Sequence, residues 1–203
     1  MTQAARKLSF EEYASLDAEG WVELGLPEGR CEYWEGELIE LPSESELNDW
    51  LASFLMLMLA NSGLVLPRLI RPHSCEIEVS GRPRTRFPDL VILREEHLAL
   101  TQRRLFITRE MPPPRLVVEV VSPGKKDRDR DYIAKRQQYA ERGIPEYWLI
   151  DPETQAVTVL ALVEQQYVEH GVFQGQARIN SSLFGQLPLT AEQILTAGEG
   201  EGA

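Results

Sequence analysis

The chain reads as a single α/β domain built on a mixed β-sheet flanked by helices. Three observations carry that reading. Residues 116–121 (LVVEVV) are almost wholly apolar and β-branched, the composition of a strand buried on both faces. An amphipathic stretch at 127–142 and a second apolar run at 146–150 follow, so strand, helix and strand form a unit whose default crossover is parallel and right-handed. Upstream, Leu47, Trp50, Leu51, Phe54, Leu55, Met58 and Leu59 recur at three- and four-residue spacing, which predicts a long helix with an apolar stripe.

The elements follow in order. Ser9 and Glu12 have capping-box spacing and open a short helix to about Asp17. Runs at 31–34 and 37–41 around Glu35-Gly36 predict a hairpin. Ser43 or Ser45 caps the long helix and Gly63 ends it. Residues 75–79 alternate, 80–83 turn, and 87–93 form a buried strand. The stretch 94–114 is irregular, with room for a short helix and a loop. Gly143 closes the helix at 127–142, and Asp151-Pro152-Glu153 turns into a strand at 156–163. A small helix starts at Thr190 and a flexible Gly/Glu terminus follows. No repeat or linker divides the 203 residues.

Composition excludes several classes. The longest apolar run, 54–60, is too short to span a bilayer, and the first ten residues have no apolar core of a secretory signal. Two distant cysteines, Cys31 and Cys75, suit reduced thiols in a cytoplasmic protein. With three histidines and no paired cysteines, a structural zinc site is not expected. Net charge is −11, which opposes non-specific binding to nucleic acid. The charge is nevertheless uneven. Residues 68–142 hold 17 basic and 11 acidic side chains, against 4 and 21 elsewhere, so any polyanion contact falls in the middle segment.

Two acids stand in apolar strands, Asp89 after Phe87-Pro88 and Glu119 within 116–121. A desolvated carboxylate is costly without a partner. Either each pairs with an arginine such as Arg86 or Arg115, or a divalent cation joins the two. Mg²⁺ takes hard oxygen ligands, one or two carboxylates among them. Lys135 on the following helix could serve the same site or simply pair with Asp131 four residues earlier.

Here the sequence resembles a family. Pro88-Asp89 followed by Glu119 is similar to the PD-(D/E)XK nuclease superfamily. More narrowly, Pro88-Asp89-Leu90-Val91-Ile92, Val118-Glu119-Val120-Val121-Ser122-Pro123, Asp131 with Lys135 and Tyr139, and the block from Gly143-Ile144-Pro145-Glu146-Tyr147-Trp148 to Pro152 resemble its restriction-endonuclease-like family of unknown role. The match covers roughly 28–165. It implies a restriction-endonuclease-like sheet over about 44–152, with an added N-terminal helix and hairpin (30–42) and C-terminal strands and tail (153–203). It also implies Mg²⁺- or Mn²⁺-dependent cleavage of DNA, with Asp89, Glu119 and Lys135 catalytic and Asp89, Glu119 and the carbonyl of Val120 on the metal.

Two departures stand out. Val121 occupies the usual lysine position, and Lys135 takes its place from the helix. Asn48 stands where many relatives carry histidine. A nuclease-like fold without catalysis, acting as a nucleic-acid-binding or protein-interaction module, is therefore the rival reading. Hydrolysis of a smaller phosphate ester is a third.

Secondary candidates are Glu32, Asp131 as a holder of Lys135, and Glu76 and Glu78, both expected to face water. Tyr139 is expected to pack. Arg82, Arg84, Arg86, Lys125, Lys126, Arg128 and Arg130 are candidates for phosphate contacts. A homodimer through the apolar face of helix 47–59 is possible geometrically, as is its burial within one chain.

Overall fold

The computed structural model describes residues 7–197; the expected Gly/Glu terminus lies outside them. Ser9 forms a capping box with Glu12 and opens α1 (Phe10–Ser15). Asp17 caps α2 (Ala18–Glu23), a helix not expected from the apolar pattern because none of its residues is buried. The hairpin β1 (Cys31–Trp34) and β2 (Glu37–Glu40) forms as expected. Ser45, not Ser43, caps α3 (Glu46–Asn61), and Gly63 follows it at φ +72°.

Next come β3 (Ile70–Pro72), β4 (Glu76–Glu78), β5 (Thr85–Arg86) and β6 (Leu90–Ile92), the last shorter than the run 87–93 suggests. Then follow α4 (His97–Leu100), β7 (Phe106–Ile107) and β8 (Leu116–Val120). The predicted helix is one continuous rod in three parts: α5 (Lys125–Asp129), a π-helical turn (Arg130–Lys135) and α6 (Arg136–Glu141). The chain continues through β9 (Glu146–Asp151), β10 (Ala156–Val163), β11 (Gln166–Phe173), β12 (Arg178–Ser181), β13 (Gly185–Thr190) and α7 (Ala191–Leu195), which Thr190 caps.

The central sheet has six strands in the order β11-β10-β9-β8-β6-β3. Only β8 and β9 are parallel, joined by the helical rod as the strand–helix–strand reading requires; the other pairs are antiparallel. A smaller sheet, β5-β4-β7, sits beside it. The β10–β11 turn escapes a sequence reading because Glu164 and Gln165, rather than glycine or asparagine, adopt its positive φ values.

The main core takes Leu51, Leu55 and Leu59 of α3, the strands β6, β8 and β9, and Ile194 of α7. Each such side chain contributes about 1.5–3 kcal/mol by leaving water. Leu47, Trp50 and Leu57 on the outer side of α3 stay exposed. A second cluster, Phe10, Tyr13, Tyr33 and Phe106, fastens α1 and the hairpin to the small sheet. No helix among the described residues is long and apolar enough to cross a membrane. Cys31 and Cys75 are both free and buried.

Candidate active site

The register of three strands builds the site. Strand β3 pairs with β6 so that Pro72 lies opposite Leu90, and one residue further the N–H of His73 donates to the Asp89 carbonyl at 2.9 Å. On its other edge β6 pairs with β8, Leu90 opposite Val118, which brings Asp89 beside Glu119 and Val120. The Asp89 carboxylate accepts the Val120 N–H at 2.7 Å. Asp89 and Glu119 thus meet as neighbours on adjacent strands.

Glu119 is held on both sides. Its Oε2 accepts from the Lys135 ammonium at 2.8 Å, and its Oε1 from the Tyr139 hydroxyl at 2.6 Å. Lys135 also meets Asp131 at 2.9 Å. Lys135, Asp131 and Glu119 are all buried. The π-helical turn widens the rod where Asp131 and Lys135 sit; such turns often accompany functional positions. Tyr139, expected only to pack, is a hydrogen-bond donor to the central carboxylate, and its burial keeps the phenol protonated.

Burial raises the pKa of Asp89 well above the carboxylate range, and repulsion from Glu119 adds to this against the pull of Lys135. Burial likewise raises Glu119, opposed by Lys135. Burial alone would depress Lys135, but Glu119 and Asp131 outweigh it and hold the ammonium charged. His73 is depressed by burial, against the upward influence of Glu44, and stays neutral near pH 7.

Asp89 and Lys135 open onto a cleft of about 370 Å³. Glu32, Glu44, Asn48, Asp89, Val120, Asp127, Arg130 and Lys135 line it. Asn48, at the first turn of α3, donates to Ser122 Oγ at 3.0 Å and only weakly, at 3.5 Å, to the Val120 carbonyl. That carbonyl therefore keeps acceptor capacity toward the cleft. Glu44, His73 and Asp89 each present a donor atom within 4.8 Å of the others, and neither ring nitrogen of His73 has a hydrogen-bond partner. Two carboxylates, an imidazole and a nearby carbonyl make a donor set that fits a divalent cation.

Sequence reasoning did not find Glu44 or His73. The signal for His73 was hidden because Pro72 masks β3, the strand that carries it to Asp89. Glu44 precedes the helix cap in an unstructured turn, where no periodicity applies.

Several expected contacts lie elsewhere. Glu76 and Glu78 do not face water: Glu76 bonds the Tyr13 hydroxyl and Arg104, and Glu78 takes Arg84 and the Arg109 N–H. Both are buried because β4 is an inner strand, with β5 on one edge and β7 on the other. Glu32 reaches the cleft but is engaged by Arg86 at 3.0 Å. Arg86 is itself buried, bonded also to Gln138, and has no free face for a phosphate. Arg82 pairs with Glu35, and Arg84 stacks over Phe10; both border a separate depression near Trp34. Arg128 holds Asp151 and Glu153, and Lys125 holds Asp129. Arg130 lines the cleft, although Asp127 and Asp131 flank it. Lys126 is exposed and takes part in no ion pair among the described residues. Arg115, offered as a partner for the acids, stacks over Phe184 instead.

A mixed sheet with its acids on adjacent strands, a lysine returned from the following helix and helices on its flanks is the architecture of a restriction-endonuclease-like nuclease fold. Over residues 10–192 the chain matches the Uma2 family, described as "Putative restriction endonuclease", and it belongs to that family. Its structure is similar to that of a "putative nuclease belonging to DUF820" from Anabaena variabilis, with a TM-score of 0.61 and 17% identity over 90% of this chain and 98% of the other. That likeness is one of fold. No curated protein matches the chain.

Proposed function

We propose that this protein is a Mg²⁺- or Mn²⁺-dependent endonuclease that hydrolyses phosphodiester bonds in DNA. The observation that carries the reading is the buried Lys135 ammonium set against Glu119, one strand from Asp89, beside an open cleft.

Asp89, the Val120 carbonyl and Glu119 are the groups that would hold the cation. Glu119 retains lone pairs beyond those used by Lys135 and Tyr139. A divalent cation bound there supplies Lewis acidity toward a scissile phosphate and lowers the pKa of water. Lys135 is held charged, so it acts as a donor and point charge toward the phosphate or the attacking water, not as the base. Tyr139 and Asp131 position Glu119 and Lys135. Water adds to phosphorus in line and gives up a proton to solvent, the bond to the leaving ester oxygen breaks, and that oxygen takes a proton from solvent. Lys126 and Arg130 are the basic groups best placed to meet the strand. Two copies would be needed to cut both strands in one encounter, and the exposed side of α3 is available for pairing. Two free thiols suit a reducing cytoplasm.

The test is plasmid cleavage with Mg²⁺ and Mn²⁺ at low salt, comparing native protein with Glu119→Gln. Metal-dependent nicking that drops by about 10²-fold or more in the variant is expected. Equal nicking by both proteins removes Glu119 from the site.

One observation favours a second reading, a nucleic-acid-binding or protein-interaction module without catalysis. Most of the candidate phosphate-binding arginines are already paired with acids. Absence of cutting together with absence of cation binding would select it.

A further inference from the structure

We propose that His73 and Glu44 are direct ligands of the cation held at Asp89, which makes the site select Mn²⁺ over Mg²⁺. The inference rests on Asp89 as a cation ligand and not on catalysis. It departs from the strand-borne acid pair by adding a nitrogen donor from the β3–β4 connection and a carboxylate from the turn before α3.

Three observations support it. First, His73 is unsatisfied where it sits. Both ring nitrogens are shielded from water and neither has a hydrogen-bond partner. Shielded ring nitrogens without partners are costly unless something absent from the protein meets them.

Second, the spacing is that of ligands and not of hydrogen bonds. Nδ1 of His73 lies 3.6 Å from Oδ1 of Asp89. That is too long for a hydrogen bond, whereas two donors each about 2.1 Å from one ion stand roughly 3–3.5 Å apart. Asp89 is more than nine-tenths buried, and its Oδ2 is taken by the Val120 N–H, while no hydrogen bond reaches Oδ1 among the described residues. Glu44 is anchored through Oε1 by Arg30 at 2.7 Å, which fixes its carboxylate beside the other two donors.

Third, the far side of the ring is built as histidine ligands usually are. Nε2 stands 3.5 Å from Oδ1 of Asp49, not yet a hydrogen bond but close enough for that carboxylate to accept the Nε2 N–H once Nδ1 is bound. His73 is also held at φ +47°, a backbone conformation sparsely used outside glycine and asparagine. Backbone of that kind persists where the surroundings fix a side chain for a purpose.

An imidazole among carboxylates favours Mn²⁺ and later transition metals over Mg²⁺, which prefers oxygen donors and retains its waters. The test is electron paramagnetic resonance of Mn²⁺ titrated into the full chain, with pulsed detection of nitrogen coupling and Mg²⁺ as competitor. Native protein is expected to show a histidine nitrogen coupled to bound Mn²⁺ and to resist Mg²⁺ competition. His73→Asn, which suits the left-handed backbone, should lose the coupling and bind Mn²⁺ about tenfold or more weakly, with Mg²⁺ affinity little changed. Glu44→Gln should weaken Mn²⁺ binding but keep the coupling. Bound Mn²⁺ without nitrogen coupling in native protein, or undiminished affinity in His73→Asn, would overturn the proposal. So would failure of the native chain to bind Mn²⁺. Nitrogen coupling in a protein that cuts no DNA leaves this proposal standing and sinks the nuclease reading alone.

Discussion

At the scale of residues, the site stores charge that only a partner can neutralise. Lys135 is the counter-ion of both Glu119 and Asp131, all three out of water. Replacing it with methionine leaves two buried carboxylates unpaired and should destabilise the protein by about 3–5 kcal/mol. Adding Glu119→Gln to Lys135→Met should restore part of that loss, read by denaturant unfolding as a double-mutant cycle; strict additivity would show that the two side chains do not interact. Asp89 presents the opposite case. Its burial disfavours the charged form, so Asp89→Asn should raise the melting temperature by a few degrees in chelator, on the order of 2–4 °C per kcal/mol for a chain of this size. The same variant should lose the stabilisation that added Mn²⁺ gives the native protein. A lower melting temperature in chelator would mean that the charged carboxylate is structural. Asp89 and Glu119 were legible in the sequence because acids inside apolar runs need a reason. His73 was not, because a lone histidine beside proline carries no such contradiction.

Among the elements, β9 fixes more than its own strand. Glu146 at its start accepts hydrogen bonds from the Trp148 indole, Ser181 Oγ and the Ser182 and Leu183 N–H groups, which ties the β12–β13 pair to the central sheet. Glu146→Ala leaves the buried Trp148 and Ser181 donors without their acceptor and should cost roughly 3 kcal/mol. Limited proteolysis should then cut first within 174–190; a native cleavage pattern would argue against the tie. At the other end of β9, Asp151 takes Arg128, Tyr132 and the Thr154 N–H. Burial would raise its pKa, but those hydrogen bonds prevail and lower it to about 2. A depressed carboxylate stabilises the fold above its unfolded pKa and loses that contribution as pH falls through the folded value. The native chain should therefore lose stability between about pH 4 and pH 2, and Asp151→Asn should flatten that limb of the curve. The parallel β8–β9 unit and α3 were readable because long periodic runs leave few options. The π-helical turn was not, since 125–141 has the same amphipathic pattern whether the helix carries 3.6 or more residues per turn. Two-residue strands such as β5 and β7 give no period to read.

Across the whole molecule, electrostatics decide how nucleic acid is met. A net charge of −11 repels a polyanion at distance, and several basic side chains of the middle segment are neutralised once folded, Arg82, Arg86 and Arg128 among them by acids from outside it. Counting charges along the chain suggested a binding stripe. Folding paired Arg82, Arg84, Arg86 and Arg128 with Glu35, Glu78, Glu32 and Asp151, a result no linear count could contain. With Lys126 and Arg130 as the main contributors, the logarithm of DNA affinity should fall with the logarithm of salt at a slope of only about −2. Fluorescence anisotropy in Ca²⁺ would measure it. A slope of −6 or steeper would mean that the paired arginines open to the backbone on binding.

The parallel pairing of β8 with β9 also sets an order of assembly during synthesis. The residues around the cleft lie between 32 and 135, so they leave the ribosome before β9 does. Until β9 arrives to flank β8, that edge of the strand carrying Glu119 has no neighbour in the central sheet. The centre becomes dry only as the later half of the chain docks. A nascent or truncated protein ending near residue 145 would then hold every proposed ligand and still lack β9, the strand that flanks Glu119 on one side in the folded protein.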